Sequence, residues 1–423
     1  MNNTLEKRFL SESSFEVMAP VGSYEALSAA INAGADSVYF GIEALNMRAR
    51  SANNFSTEDL FEIVRICKQH QVRSYLTVNT ILYDEDLPLM REILKKAQEA
   101  EVTAVIVADV AALQEANRLG LEVHLSTQLN ISNIESLRFY AQFADVVVLA
   151  RELSMEQVAT IHHEIETTPI NGASGRPVQI EMFAHGALCM AISGKCYLSL
   201  HEMNKSANRG SCTQICRRSY RVWDDEAGVE LDVTHPNIMS PKDLKTIHFI
   251  NRMMEAGVRV FKIEGRARGP EYVDTVVRCY KEAIAAVCSG SYTEQKIAEW
   301  DQRLSSVFNR GFWDGYYLGQ KLGEWTPFAG SSATKEKEYI AKVIKHFGKI
   351  GVAEIELESG ELNVGDQILI IGPTTGVIDI NVAEIRYELA PVTFAKKGQR
   401  VSLPVPQKVR PADRVYLFKD RNK

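Results

Sequence analysis

The feature that most constrains this chain is a repeat of short β-branched runs separated by amphipathic stretches. Eight runs stand out: Phe15–Ala19, Ser37–Phe40, Arg73–Val78, Ala104–Ala108, Glu122–Ser126, Val146–Leu149, Gln179–Phe183 and Val258–Ile263. Between them, apolar residues recur at three- and four-residue steps in Tyr24–Ala33, Thr57–His70, Asp86–Gln98 and Asp243–Ala256, the periodicity of helices with one buried face. Strand and helix in strict alternation signal parallel strands joined by crossover helices. Gly34 and Gly257 each stand just past a helical stretch and before a strand, where a left-handed residue ends a helix at little cost. Eight strand–helix repeats match the count and size of a TIM-type (β/α)8 barrel. A doubly wound open sheet is the competing α/β architecture, because periodicity cannot show closure.

Beyond Gly290 the pattern changes. A helical stretch over Glu294–Val307 leads to Phe308-Asn309-Arg310-Gly311-Phe312, and then to a stretch rich in Gly, Ser, Thr and Lys. From Tyr339 onward, alternating runs are broken by turn signals at Ser359-Gly360, Val364-Gly365-Asp366 and Gly372 to Gly376, with no good helix. The expected division is a barrel over 1–318, carrying an insertion after its seventh strand at about 184–235, a linker over 319–337, and a small all-β barrel over 338–423.

Four of the seven cysteines crowd between positions 189 and 216. That suits reduced thiolates serving a metal better than a disulfide framework. With no apolar run after the basic residues near the start and no membrane-length stretch, a cytoplasmic protein with no membrane partner is expected. The formal charge of −6 argues against a surface that is basic throughout. A local basic patch remains open around Arg217, Arg218 and Arg221, and around Lys262, Arg266 and Arg268.

The segment Glu181 to Ser199 follows the seventh run directly and holds His185, Cys189 and Cys196; Cys212 and Cys216 follow. In a barrel this is the mouth, where active-site loops gather. Soft thiolates select zinc or iron–sulfur clusters. The six residues between Cys189 and Cys196 are wide for a zinc pair, which favours a cluster; zinc, or thiols without a metal, stay open. Cys67, Cys279 and Cys288 lie among apolar neighbours and read as core. Polar residues at other strand ends extend the candidate site: Arg48, Asn79, Gln128, Asn130, Arg151, Glu152, Glu264 and Arg266. Arg151 and Glu264 join His185 as candidate catalytic groups, and Arg48, Asn79, Gln128 and Arg266 as candidate substrate-binding groups, the arginines being suited to bidentate grip on a carboxylate or phosphate. His185 reads equally well as a satisfied structural group. The chain has no His-Glu-x-x-His, Gly-x-Ser-x-Gly, P-loop or dinucleotide fingerprint, which weakens ordinary metalloprotease, serine hydrolase, nucleotidase and dehydrogenase readings.

On Glu181, Phe183, Gly186, Cys189, Gly194, Cys196, Leu198 and Ser199, and again on Cys212 to Cys216, Asn237 to Leu244, Phe261 to Arg266 and Arg310-Gly-Phe, the sequence resembles the peptidase U32 family. Its arrangement of one barrel followed by a β module is similar to the prephenate-dependent tRNA uridine(34) hydroxylase branch. The resemblance implies oxygen-independent hydroxylation of the wobble uridine to 5-hydroxyuridine, with tRNA as partner, prephenate as co-substrate and a [4Fe-4S] cluster on Cys189, Cys196, Cys212 and Cys216. The same resemblance carries a rival, a collagenase-like peptidase. A partner-binding protein with a purely structural cluster is the third possibility. In the C-terminal module, Lys396, Lys397, Arg400, Lys408 and Arg410 are candidates to meet phosphates. The oligomeric state, including a homo-oligomer, is left open.

Overall fold

The structure, a computed structural model, describes residues 11–49, 54–230 and 237–421. Its N-terminal part is a closed parallel barrel. Strands β1 (Glu16–Pro20), β2 (Ser37–Phe40), β3 (Arg73–Val78), β4 (Ala104–Val107), β5 (Val123–Leu125), β6 (Val146–Val148), β7 (Gln179–Gly186) and β8 (Val258–Ile263) pair in order. Closure is made by β8, which runs parallel to β1 on one side and to β7 on the other. The open sheet is therefore excluded.

Three crossover helices form where the periodicity places them, α1 (Tyr24–Asn32), α2 (Thr57–Gln69) and α3 (Leu87–Ala100), and α4 (Val110–Arg118), α5 (Ile134–Ala141) and α6 (Met155–Thr167) follow β4, β5 and β6 in turn. Most start at a polar cap. The Ser56 hydroxyl accepts from Asp59 N while Asp59 accepts from Ser56 N, and Ser154 and Gln157 repeat the device, satisfying donors that a helix start leaves free. Their apolar faces join one large core with the outward faces of the strands. Inside the barrel the layers are unusually polar. Glu16, Glu181, His124 and Lys262 are buried there, with Tyr75 donating to Glu16 at 2.8 Å and Lys262 to Glu181 at 2.7 Å.

One expected helix is corrected. Asp243–Ala256 does not run as a single helix: Asp243–Lys245 is a strand, antiparallel to the end of β7 and parallel to Phe312–Trp313, and only α8 (Ile250–Glu255) is helical after a short 3-10 turn. Partners distant in sequence override the local period there. Helices α9 (Pro270–Cys288) and α10 (Glu294–Ser306) complete the barrel wall, α7 (Leu198–Met203) lying in the insertion. Strand β7 runs three residues beyond its expected end, to Gly186; the expected end of the insertion, at 235, lies outside the described residues.

Residues 335–421 form a second core from antiparallel strands β9 (Lys335–Phe347), β10 (Val352–Leu357), β11 (Gln367–Gly372), β12 (Gly376–Asn381), β13 (Ile385–Tyr387), β14 (Ala390–Val392), β15 (Arg400–Pro404) and β16 (Arg414–Asp420). They pair in the order β12-β11-β16-β9-β10-β15-β13-β14. This sheet links its two ends through the antiparallel pair Glu361–Asn363 and Phe394–Lys396: Gly365 N donates to Val382 O at 2.8 Å, just past β12, and Val364 N to Thr393 O at 2.9 Å, just past β14. It curls enough that Ile378 from one end and Ile385 from the other share one core. This module docks on α1: Ala29 packs with Leu369, Ile371, Val377 and Phe418, Ser28 donates to Pro373 O at 2.6 Å, and Asn32 to Thr375 O at 3.0 Å.

Ala29 is fully buried in that contact. Ala29→Asp would place an unpaired charge there, an arrangement that costs at least about 3 kcal/mol. The expected outcome is a lower thermal midpoint and faster protease nicking in 319–334, with the barrel's far-UV signal retained at temperatures where the module has come loose.

Candidate functional site

At the C-terminal end of the barrel the loops after β2, β3, β5, β6, β7 and β8 enclose a cavity of about 250 Å³. Loop β8 brings the central carboxylate. Glu264 accepts from Arg48 at 2.7 Å and from the Tyr39 hydroxyl at 3.2 Å. Burial alone would raise its pKa, but Arg48, Arg151 and Arg266 more than offset this and hold it at about 2. Glu264 is thus ionised at neutral pH, and it fixes the guanidiniums around it. Arg266 is buried, its Nη1 donating to Asn46 Oδ1 and Thr77 Oγ1, both at 3.1 Å. Burial pushes it down to about 10. Gly41 makes room for it, since a Cβ at that position would lie 2.6 Å from Arg266 Nη1.

Arg151 lies over the Phe183 ring at 3.8 Å and donates to Ala187 O at 3.2 Å, while its buried Nε has no partner. Asn79 donates to Ser126 Oγ at 3.1 Å, and Ser126 in turn bonds the Gln128 side chain. The cavity therefore gathers Arg48, Asn79, Gln128, Arg151, Glu264 and Arg266 in one place. Sequence reasoning left four further cations unassigned as site residues: Lys262, Arg217, Arg268 and Arg310 also line it. Seven cationic side chains face one carboxylate among the described lining residues, inside a chain whose net charge is −6. The Arg266-x-Arg268 pair after a strand and the basic residue beside Cys216 were the available signals.

The insertion folds back over this mouth. Arg209 clamps Asp86 at 2.6 and 3.2 Å, Asn130 donates to Ser193 O at 3.0 Å, and Gly210 packs against the backbone of Asn46. Arg217 donates to Leu188 O at 2.6 Å and to Ser240 Oγ at 3.0 Å, tying the second cysteine pair to the first. All four cysteines line the cavity and none is in a disulfide. Burial raises the Cys216 thiol, Arg217 opposes that rise, and Cys189, Cys212 and Cys196 each add to it, so the four lie within electrostatic reach of one another. Among the described residues no three Cys, His, Asp or Glu side chains stand close enough to hold a metal ion as they are. By contrast Cys67 and Cys279 are buried elsewhere, their thiols pushed up to about 12 by burial.

His185 is not part of the cavity. Strand alternation would send it inward with Glu181 and Phe183, but β7 carries an extra residue between its pairings with Lys262 and Ile263, and such a bulge re-aims the next side chain. His185 packs instead among Tyr272, Tyr280 and Phe312. Burial, with Lys245 and Arg268 nearby, lowers it to about 3. It is a neutral structural histidine, and the catalytic expectation for it is withdrawn.

The sequence profile of peptidase family U32 matches residues 22–327. This chain belongs to peptidase family U32. A protein of Porphyromonas gingivalis named collagenase is 68% identical over 407 residues, covering 96% of this chain and 98% of that one. The tRNA hydroxylation protein P1 of Bacillus subtilis is 32% identical, covering 85% and 83% respectively. The 23S rRNA 5-hydroxycytidine C2501 synthase of Escherichia coli is 32% identical over 74% of this chain and 47% of its own length. No helix of this U32 chain is long and apolar enough to cross a membrane among the described residues.

The Glu264 environment sets a pH test. A carboxylate held at about 2 against an ordinary 4.5 contributes stability that is complete above pH 4.5 and is lost as pH falls toward 2, on the order of 3 kcal/mol. Glu264→Gln is expected to flatten the dependence of unfolding free energy on pH in that window, as read by urea melts at pH 2.5, 3.5, 4.5 and 6.

Proposed function

We propose that this U32 chain is an RNA-modifying hydroxylase, acting on the wobble uridine of tRNA to form 5-hydroxyuridine, with prephenate as the hydroxyl source. In the same reading Cys189, Cys196, Cys212 and Cys216 hold an iron–sulfur cluster of the [4Fe-4S] type. The observation that carries the reading is the make-up of one cavity: four thiols and a large excess of guanidinium groups. Four soft donors around a shared space fit a cluster, which is wider than a single ion; a mononuclear zinc needs its sulfurs about 2.3 Å from one centre. When bound, such a cluster supplies a one-electron redox centre.

The chain's own residues supply binding and orientation. Arg48 and Arg151, held in place by Glu264 and Phe183, present N–H donors to a carboxylate, and the unpartnered Nε of Arg151 is one donor such an anion would satisfy. The insertion over the mouth limits the access of water. Two relatives are named for hydroxylating tRNA or forming hydroxycytidine in rRNA, which supports RNA as the substrate class.

A peptidase is the second reading, favoured by the name of the 68% identical relative. Against it, no imidazole lines the cavity among the described residues, so a thiol or hydroxyl nucleophile there would lack the usual base. Nucleoside mass analysis of tRNA and rRNA from a deletion strain separates the two. Loss of a hydroxylated pyrimidine, restored by the wild-type gene and not by Cys189→Ala, is the expected result; unchanged RNA with lost cleavage of a collagen peptide would select the peptidase. Protein purified without air is expected to carry about four irons per chain if the cluster is a cubane, and Cys189→Ala or Cys196→Ala to lose most of them. Stoichiometric zinc in protein never exposed to air would overturn the cofactor assignment.

A further inference from the structure

Within the cationic lining of the cavity, where Lys262 is paired with Glu181 and Arg217 is bonded to Leu188 O and Ser240, two further groups have different carboxylate partners. In the first, Arg48 closes on Glu264 at 2.7 Å. In the second, Arg268 and Arg310 share the buried carboxylate of Asp243 at 3.9 and 3.5 Å only. Other partly buried arginines close more tightly on a carboxylate, Arg209 on Asp86 at 2.6 Å and Arg278 on Asp274 at 2.9 Å, and the loose pairs elsewhere, such as Arg138 with Glu135 at 3.8 Å and Arg221 with Glu230 at 3.7 Å, are at the exposed surface. The guanidinium of Arg268 makes no ordinary hydrogen bond to a described residue, and that of Arg310 makes one, at 3.5 Å. Both side chains are nonetheless largely shielded from solvent, at 15% and 11% exposure.

What holds them is the Phe308 ring, with Arg268 at 3.6 Å and Arg310 at 5.2 Å from its centroid. A ring face fixes a guanidinium without using its N–H donors. Two planar donor forks are therefore positioned, desolvated and left largely without acceptors, and both line the cavity. Desolvated cations with free donors are the arrangement that an oxyanion completes.

We infer that Arg268 and Arg310 form a second anion subsite, separate from the Glu264 group, that takes a backbone phosphate of the RNA substrate. This rests on the RNA-modifying reading and adds a division of labour to it: the Glu264 group faces the small carboxylate, and the Phe308 group faces the polynucleotide. A phosphodiester is the better match for the second group, because two adjacent forks offer donors to both non-bridging oxygens while a single buried Asp243 leaves the pair one positive charge in excess.

The test uses the full-length protein, purified without air, and a fluorescein-labelled anticodon stem-loop read by anisotropy between 50 and 200 mM salt, each value an approximate setting of the usual range. Arg268→Met with Arg310→Met is expected to weaken stem-loop binding about tenfold or more and to reduce the slope of log K against log salt by about 1, with the affinity for prephenate, read by calorimetry, unchanged within about twofold. Arg151→Met is expected to do the reverse. Asp243→Asn guards against mere misfolding, since removing the competing carboxylate should tighten stem-loop binding severalfold, which a damaged protein would not do. The inference is overturned if the double variant binds the stem-loop with wild-type affinity and salt slope, or loses prephenate instead. If wild-type protein binds no RNA at all, the RNA-modifying reading falls first, an outcome distinct from wild-type binding that the double variant leaves intact.

Discussion

Strand β8 is the constraint on which the rest of the molecule depends. Its parallel pairing with both β1 and β7 closes the barrel, and its far end and the loop after it deliver Lys262, Glu264 and Arg266 into the mouth within five residues of chain. Without that closure, Arg48 from the β2 loop and Arg151 from the β6 loop would have no common carboxylate to meet. The Glu264 network is therefore a product of the closed sheet: one ionised carboxylate organises guanidiniums that would otherwise repel one another.

The insertion after β7 adds a second level of organisation. Its described residues hold short helical turns and one two-residue hairpin, Trp223–Asp224 with Val229–Glu230, so its shape comes from anchors to neighbouring loops, Arg209 to Asp86 and Arg217 to Leu188 O and Ser240 among them. These anchors help bring the two cysteine pairs together as four thiols facing one cavity. The same cavity is strongly cationic although the chain as a whole is acidic, and a local field of this kind recruits anions that the net charge would not. The exposed basic residues proposed for phosphate contact in the C-terminal module are more modestly placed. Arg400 is paired with Glu356 at 3.1 Å and Arg410 with Thr374 at 3.1 Å, and the module's apolar contact is with α1 of the barrel.

Much of this architecture was legible from periodicity, because a parallel strand buried on both faces reads as a β-branched run and its crossover helix as a period near 3.6. All eight barrel strands lie where those runs lie. The one misread helix has its cause in pairing between segments far apart in sequence. Asp243-Leu244-Lys245 has a helical surrounding pattern yet pairs with Gly186 and His185.

The amino-acid sequence by itself determined the strand–helix repeat, the position of the cysteine insertion after the seventh strand and which polar residues stand at several strand ends, since each follows from local spacing. Only the tertiary structure decided which chemistry shares a space. A single bulge in β7 turns His185 away from the cavity, and the stacking of Arg268 and Arg310 on Phe308 brings three residues together across forty-two positions of chain. Side-chain direction at a bulge and contacts between remote loops are set by packing, which no local pattern records.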